Sequence, residues 1–162
     1  MYVFPHLLWL WVARVSQLTL PCPPVWTDEA GRPGFAPEAV QRLLSQLGVT
    51  PTSAARNGAK YVIADVGAGT GKFTKEILSY RRNVGDGIVA VEPTDMRTNI
   101  ADTMPSVEVL QGVSDDLPLD TASCGTLVAA QAFHWFSTIE SLREFHRVIA
   151  PGGRLGLIWN IR

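Results

Sequence analysis

Residues Tyr61–Thr74 read YVIADVGAGTGKFT, and this stretch decides the fold. An apolar run with β-branched residues predicts a buried strand that ends at the acid Asp65. Three glycines follow at alternate positions, Gly67, Gly69 and Gly71, and a helical pattern comes after them. A strand that enters a glycine-rich turn and then a helix is typical of a nucleotide-binding crossover, because glycine accepts positive φ and lets backbone N–H groups approach a ligand.

The spacing of these glycines narrows the class of ligand. A dinucleotide fingerprint requires its third glycine at position 72, which is Lys72. A P-loop requires glycine at position 66 and Ser or Thr at position 73, which are Val66 and Phe73. Both motifs therefore fail at defining positions, and Lys72 disfavours a nicotinamide-dependent oxidoreductase.

The composition is that of an ordinary globular domain. The chain has 162 residues, of which 46% are hydrophobic and 18% charged, and its net charge is -1. Because no basic run is present, the sequence argues against a nucleic-acid binder that tracks phosphates. Cys22 and Cys124 match no zinc spacing, so we predict no metal site and a reduced, intracellular setting. No G-x-S-x-G is present, so the sequence predicts no nucleophile elbow.

Strands and helices alternate along residues 28–162, which we interpret as one domain. A helix is expected over residues 38–47, and Ser137-x-x-Glu140 predicts a capping box that opens another. The expected strands are the one that enters the glycine turn and those at residues 88–91, 107–110, 125–130 and 154–160. This alternation predicts an α/β, Rossmann-like, doubly wound and mainly parallel sheet of five strands.

Residues 1–27 form an apolar, proline-rich leader that we expect to be irregular. The apolar run at residues 2–13 is too short to span a bilayer, and it lacks the basic start of a secretory signal. Pro21-Cys22-Pro23-Pro24 then breaks any regular element. A membrane-surface segment and a docking segment are the alternatives.

Glu92 directly follows the second predicted strand, Ile88–Val91. It lies 21 residues beyond Gly71, and an acid at about this offset grips a ribose diol in nucleotide-binding α/β folds. A carboxylate can accept hydrogen bonds from both hydroxyls. The alternative is a solvated acid at the end of a strand.

The pattern Asp65-x-Gly67-x-Gly69-x-Gly71 resembles motif I of the class I S-adenosylmethionine (SAM) dependent methyltransferases. The runs Ala130–Phe136, AQAFHWF, and Pro151–Arg162, PGGRLGLIWNIR, resemble the methyltransferase type 11, trans-aconitate-methyltransferase-like branch. The resemblance covers residues 28–162. Since the family continues with two further strands, which are missing here, we expect residues 154–160 to form an apolar edge that a partner or a missing segment covers.

The resemblance implies SAM as the cofactor and the following cofactor-binding residues: Asp65, Gly67, Ala68, Gly69, Gly71, Glu92, Pro93, Met96, Ser114, Asp115 and Gln131. Met96 would lie against the adenine, or else it is an ordinary core methionine. Ser114 and Asp115 belong to the loop that passes the adenine, or are surface bystanders.

The function that the resemblance implies is methyl transfer from SAM to a small-molecule acceptor, in the cytoplasm and without a membrane or nucleic-acid partner. His134 is the candidate general base, with a structural role as its alternative. Val113 and Gly125 depart from the family pattern. These two departures and the short C-terminus favour the alternative function, a non-catalytic SAM-binding or interaction module, such as a truncated paralogue.

Overall fold

The computed structural model describes residues 9–16, 34–82 and 87–161. Within them, six strands form one parallel sheet in the order β1-β6-β5-β2-β3-β4. Their bounds are Trp9–Ser16 (β1), Ile63–Val66 (β2), Ile88–Val91 (β3), Glu108–Leu110 (β4), Cys124–Ala130 (β5) and Ile149–Ile161 (β6). The five predicted strands and the Rossmann-like α/β class are confirmed. The strand order reverses between β2 and β5, and a crevice at such a point is where open α/β sheets bind ligands.

Strand β1 corrects two predictions. The leader is not irregular throughout, because Trp9–Ser16 pairs in parallel with Arg154–Ile161. Residues 154–160 are therefore not an exposed edge, since the backbone groups of β6 have partners on β1. The segment WLWVARVS is rich in aromatic and β-branched residues, which suit a strand. The predicted breaker at residues 21–24 lies outside the described residues.

Four α-helices cover the sheet in the described residues: α1 (Pro37–Gln46), α2 (Lys72–Tyr80), α3 (Arg97–Thr103) and α4 (Ile139–Val148). The first helix agrees with the prediction, with proline in its first turn and Gly48 just beyond its end at φ 73°. The short α3 was not predicted. Helix α4 ends at Val148, and Ile149 is already extended, so the helix ends before the Pro-Gly-Gly run.

The predicted capping box at Ser137 and Glu140 is wrong by one position. The N-cap is Thr138, whose Oγ1 accepts a hydrogen bond from the backbone N–H of Ser141 at 3.2 Å. A threonine hydroxyl serves the same capping role as serine, so the two neighbouring hydroxyls could not be told apart by pattern alone.

The core lies on both faces of the sheet. One cluster joins β2 and β3 to α1, α2 and α3 and contains Leu43, Ile63, Ile77 and Ile100, all fully buried. The other packs α4 on the opposite face through Phe145. Because strand side chains alternate in direction, Ile63 and Ala64 enter different clusters. Among the described residues, no helix is long and apolar enough to cross a membrane.

Candidate cofactor and methyl-transfer site

The three glycines of the loop between β2 and α2 all have positive φ. The values are 72° at Gly67, 57° at Gly69 and 88° at Gly71, in the left-handed region that disfavours other residues. The loop is held by its own backbone, because Gly67 N–H donates to Val91 O at 2.9 Å and Gly71 N–H donates to Ala68 O at 2.9 Å. Ala68 N–H also bonds Val91 O, at 3.3 Å.

The surroundings of the glycines differ. A Cβ at Gly67 would lie 2.8 Å from Ala132 Cβ, and one at Gly71 would lie 2.7 Å from Ile100 Cγ1. A Cβ at Gly69 would meet no described atom within 4 Å. Two glycines are therefore required by packing against the protein, and Gly69 is the one whose backbone faces open space.

Glu92 is buried beside this loop, with 4% of its surface exposed. Its Oε2 accepts a hydrogen bond from Gly69 N–H at 2.8 Å, so the acid and the glycine loop are in direct contact. Its Oε1 accepts from Thr94 N–H at 3.1 Å and from Thr94 Oγ1 at 2.7 Å. A carboxylate offers about four acceptor positions, so Oε2 retains one for a ligand hydroxyl.

Asp65 lies under the loop and is completely buried. Thr74 Oγ1, in the first turn of α2, donates to Asp65 Oδ2 at 2.7 Å, whereas Oδ1 has no hydrogen-bond partner among the described residues. Burial raises the pKa of the Asp65 carboxyl to about 7, the Thr74 hydrogen bond opposes this shift, and the charge of Glu92 adds to it. An unpaired buried carboxylate oxygen is costly, and such groups concentrate at functional sites.

Three side chains that support the site were not predicted. Thr74 orients Asp65, Thr94 orients Glu92, and Asn99 Nδ2 on α3 donates to Thr70 O in the glycine loop at 2.7 Å. Thr74 had a sequence signal, since it is a hydroxyl in the first turn after the loop. The contact from Asn99 had none, because it depends on how α3 packs.

Beyond Glu92, the ends of β3 and β4 carry two exposed apolar side chains. Met96 is 46% exposed and Val113 is 47% exposed. The exposure of Met96 contradicts the alternative that it is an ordinary core methionine. Gln111 Nε2 donates to Pro93 O at 3.1 Å and ties the two chain segments together. The exposed side chains of Met96 and Val113 offer apolar surface that could contact a flat ring.

Ser114 and Asp115 follow Val113 in the loop after β4. Ser114 Oγ is 2.9 Å from Ser141 Oγ on α4, so its hydroxyl is engaged inside the protein. Asp115 is exposed. The structure thus joins Ser114 to a helix and leaves Asp115 at the surface, and their contact with an adenine stays a prediction.

Gln131 lies where β5 ends, on the other side of the crevice from β3. Its φ is 53°, which is unusual for a residue with a side chain, and its N–H donates to Ile158 O at 2.8 Å. Strained backbone of this kind is concentrated at ligand sites. The next residues form a single turn of 3-10 helix, Phe133–Trp135, which carries the exposed rings of His134 and Trp135.

His134 accepts a hydrogen bond at Nδ1 from Trp159 Nε1, at 3.4 Å. A neutral imidazole with an accepting Nδ1 carries its proton on Nε2, so the free nitrogen is a donor. This arrangement favours His134 as a group that orients an acceptor over a group that removes a proton. Its role as a general base stays a prediction.

A surface cavity of about 470 Å³ opens at the opposite, amino end of β2 and β3, beside Pro51, Lys60, Val62 and Gly87. None of the buried carboxylates reaches it, so we place the functional site at the carboxyl end. The described residues contain no cluster of His, Cys, Asp and Glu that could hold a metal ion.

Comparison with known proteins identifies the family of the chain. Residues 64–157 match the family model described as "Methyltransferase domain". The chain belongs to this methyltransferase family. The matched region runs from β2 into β6 and includes the carboxyl ends of β2, β3, β4 and β5.

Relatives of this methyltransferase chain occur in bacteria and in yeast. An uncharacterized methyltransferase of Mycobacterium tuberculosis is 38% identical over 135 residues, which cover 83% of this chain and 49% of the relative. An uncharacterized methyltransferase of Schizosaccharomyces pombe is 33% identical over the same shares. The chain therefore spans about half the length of the curated relatives it matches.

The fold also occurs among solved structures. A protein of Methanococcus maripaludis, provisionally assigned as a SAM-dependent methyltransferase, has a TM-score of 0.59 and 16% identity, and the match covers 76% of this chain and 54% of that protein. At this identity the likeness shows the fold alone.

Proposed function

We propose that this chain binds SAM at the carboxyl end of its sheet and serves a methyl transfer to a small-molecule acceptor. The observation that carries the proposal is the contact between Glu92 and Gly69, which places a buried carboxylate against the one loop glycine that faces open space. Membership of the methyltransferase family supports SAM over other nucleotides.

The residues present fit this cofactor. Glu92 Oε2 would accept from a ribose hydroxyl, and the open backbone at Gly69 would admit the methionine part. The unpaired Oδ1 of Asp65 would face cationic charge, either directly or through water. Met96 and Val113 would lie against the nucleobase.

Bound SAM supplies a sulfonium-linked methyl group that is transferred to a nucleophile. The task of this chain is then to place the two reactants in line and to exclude water. Gln131 and the Phe133–Trp135 turn line the crevice where the acceptor would sit. If the acceptor is an anion, no base is needed and the Nε2–H of His134 would orient it.

The test of cofactor binding is calorimetry with SAM, S-adenosylhomocysteine and NAD. We expect the first two to bind and NAD not to bind. Glu92→Gln should weaken both by about 10- to 100-fold, because hydrogen bonds to a charged group contribute about 1.5–3 kcal/mol. Glu108→Gln, which removes an exposed acid on the neighbouring β4, is the matched control and should leave both affinities unchanged. Unchanged affinity in Glu92→Gln would remove the ribose role.

The non-catalytic alternative keeps SAM binding without turnover, and Val113 and Gly125 are two of the features that favour it. Gly125 lies near the amino end of β5, five residues from the strand end, which is ~16 Å away. At that distance from the proposed cofactor site, Gly125 gives no reason to expect weaker cofactor binding. A labelled-methyl assay over small acids, thiols and amines separates the two functions, and transfer to any of them supports catalysis.

A further inference from the structure

The loop after β4, residues 111–117, is held by helix α4 at its far end. Glu144 Oε1 accepts from Leu117 N–H at 2.8 Å, and Arg147 Nη2 donates to Leu117 O at 3.2 Å. Both backbone polar groups of one residue are thus bound by side chains of the same helix. The two side chains also bind each other, through Arg147 Nε to Glu144 Oε2 at 2.8 Å and Nη2 to Oε1 at 2.5 Å.

A second contact holds the middle of the loop. Ser114 Oγ lies 2.9 Å from Ser141 Oγ, and Thr138 Oγ1, at the N-cap of α4, donates to Ser141 Oγ at 3.1 Å. Ser141, Glu144 and Arg147 follow each other at intervals of three, which puts them on neighbouring positions of the helix surface. One face of α4 therefore fixes the loop at two points.

The electrostatics favour a rigid attachment. Only 13% of the Glu144 side chain is exposed. Hydrogen bonds from Arg147 hold the pKa of the Glu144 carboxyl below its usual value, with a further contribution from Leu117 N–H. Glu144 is therefore ionised at neutral pH, and its charge-assisted bonds are stronger than neutral ones.

The start of the same loop is joined to the candidate sugar site. Glu92 N–H donates to Leu110 O at 3.1 Å, and Gln111 Nε2 donates to Pro93 O. If Glu92 holds the ribose and Gly69 lies on its β2 side, the base extends to the other side, toward β4. Two exposed apolar side chains follow these strands, Met96 after β3 and Val113 after β4.

We propose that Glu144, with Arg147 and Ser141, holds loop 111–117 in the conformation that receives the nucleobase of SAM. Glu144 is thereby a positioning residue, acting through Leu117 and not by contact with the cofactor. This inference rests on the proposed function for its ligand, whereas the attachment of the loop does not.

The experiment uses S-adenosylhomocysteine and S-ribosylhomocysteine, which differ only by the base. The dissociation constant of S-ribosylhomocysteine divided by that of S-adenosylhomocysteine measures the contribution of the base. Glu144→Ala should reduce this ratio at least fivefold and leave the affinity for S-ribosylhomocysteine unchanged. Glu144→Gln should restore most of the ratio, since its amide oxygen still accepts from Leu117 N–H. Ser141→Ala should have a smaller effect, and Arg143→Ala, an exposed position on α4, is the matched control.

Hydrogen exchange of the backbone amides of residues 111–117 without ligand provides the second measurement. Glu144→Ala should exchange faster there than wild type, while β2 and β3 remain protected. A lower melting temperature with an unchanged ratio would show a merely structural role and overturn the proposal, as would unchanged exchange. If wild type binds neither ligand, the proposed function fails and the nucleobase role fails with it, and exchange alone still decides the attachment of the loop.

Discussion

Glycine has different roles at the amino and carboxyl ends of the sheet. At the amino end, Gly153 and Gly125 are in close contact, because a Cβ at Gly153 would lie 2.7 Å from Gly125 O and 2.5 Å from Ile149 Cγ2. At the carboxyl end, Gly69 faces open space and its N–H binds a buried carboxylate. The glycines at the amino end serve packing alone, whereas the carboxyl end combines two packed glycines, Gly67 and Gly71, with one, Gly69, that leaves backbone accessible.

The two ends also differ in the destabilising features that they contain. The carboxyl end holds a buried acid with an unpaired oxygen, Asp65, and a strained non-glycine residue, Gln131. Features of this kind lower stability and persist where a site needs them. Changes at the amino end should therefore affect stability alone, and changes at the carboxyl end should separate stability from ligand affinity.

The largest expected effect is that of Gly153→Ala. The new methyl group would overlap backbone oxygens of Gly125 and Ala150, at 2.7 and 2.8 Å, which cannot rotate away. We expect a loss of about 3 kcal/mol in the free energy of unfolding, measured by urea denaturation. The affinity of the folded protein for S-adenosylhomocysteine should not change, and a weakened affinity would contradict the division between the two ends.

Asp65→Asn tests the cost of the buried acid. Because the pKa of Asp65 is about 7 in the folded protein and 3.8 in the reference state, the folded state binds more protons between these values. Asp65 therefore makes wild type lose stability as the pH rises from about 4 to 7, with no further loss above. Asp65→Asn lacks this loss.

Urea denaturation of both proteins from pH 5 to pH 8 gives the measurement. The stability of Asp65→Asn relative to wild type should rise by about 3 kcal/mol over this range. Asp115→Asn, which removes an exposed carboxylate of the site region, is the control. If the difference in the free energy of unfolding between the two proteins stays constant with pH, Asp65 does not titrate between pH 5 and pH 8.

The sequence predicts features that depend on residues close together in the chain better than features that depend on contacts between distant residues. The glycine loop and Glu92 follow from local spacing, and the structure brings them together as expected. Thr94 binds Glu92 from two residues away, whereas the contact of Asn99 with the glycine loop arises only when α3 packs beside that loop. Strand β1 was missed for the same reason, since Trp9 pairs with Arg154 near the other end of the chain and its apolar run has no alternation.

The departure at Gly125 has a local structural reason. A Cβ there would lie 3.3 Å from Val62 O and 3.4 Å from Arg56 N. The glycine leaves room for the turn at residues 56–58, and the pairing of β5 with β6 shifts register at this glycine, between Cys124 and Thr126. Its reason is local packing, which no sequence pattern displays.

Gly69→Ala and Gly71→Ala form the next pair of tests. Both place a methyl group at positive φ in the same loop, which costs about 1–2 kcal/mol. Gly71→Ala should lose about 1 kcal/mol more, because its methyl would lie 2.7 Å from Ile100 Cγ1 and Met104 Cε. Gly69→Ala should lose less stability but bind S-adenosylhomocysteine roughly tenfold more weakly, a difference of about 1.4 kcal/mol. Equal losses of affinity would remove the special status of Gly69.

The smallest expected effect is that of Trp159→Phe on His134. The indole N–H fixes the proton of the neutral imidazole on Nε2, through a bond at 3.4 Å between exposed groups. Its removal should cost less than about 0.5 kcal/mol of stability. Nitrogen chemical shifts of a histidine-labelled sample should show the Nε2–H tautomer in wild type and a mixture of tautomers in the variant. If both proteins show the same mixture, Nδ1 is available, and His134 regains its place as a candidate base in methyl transfer.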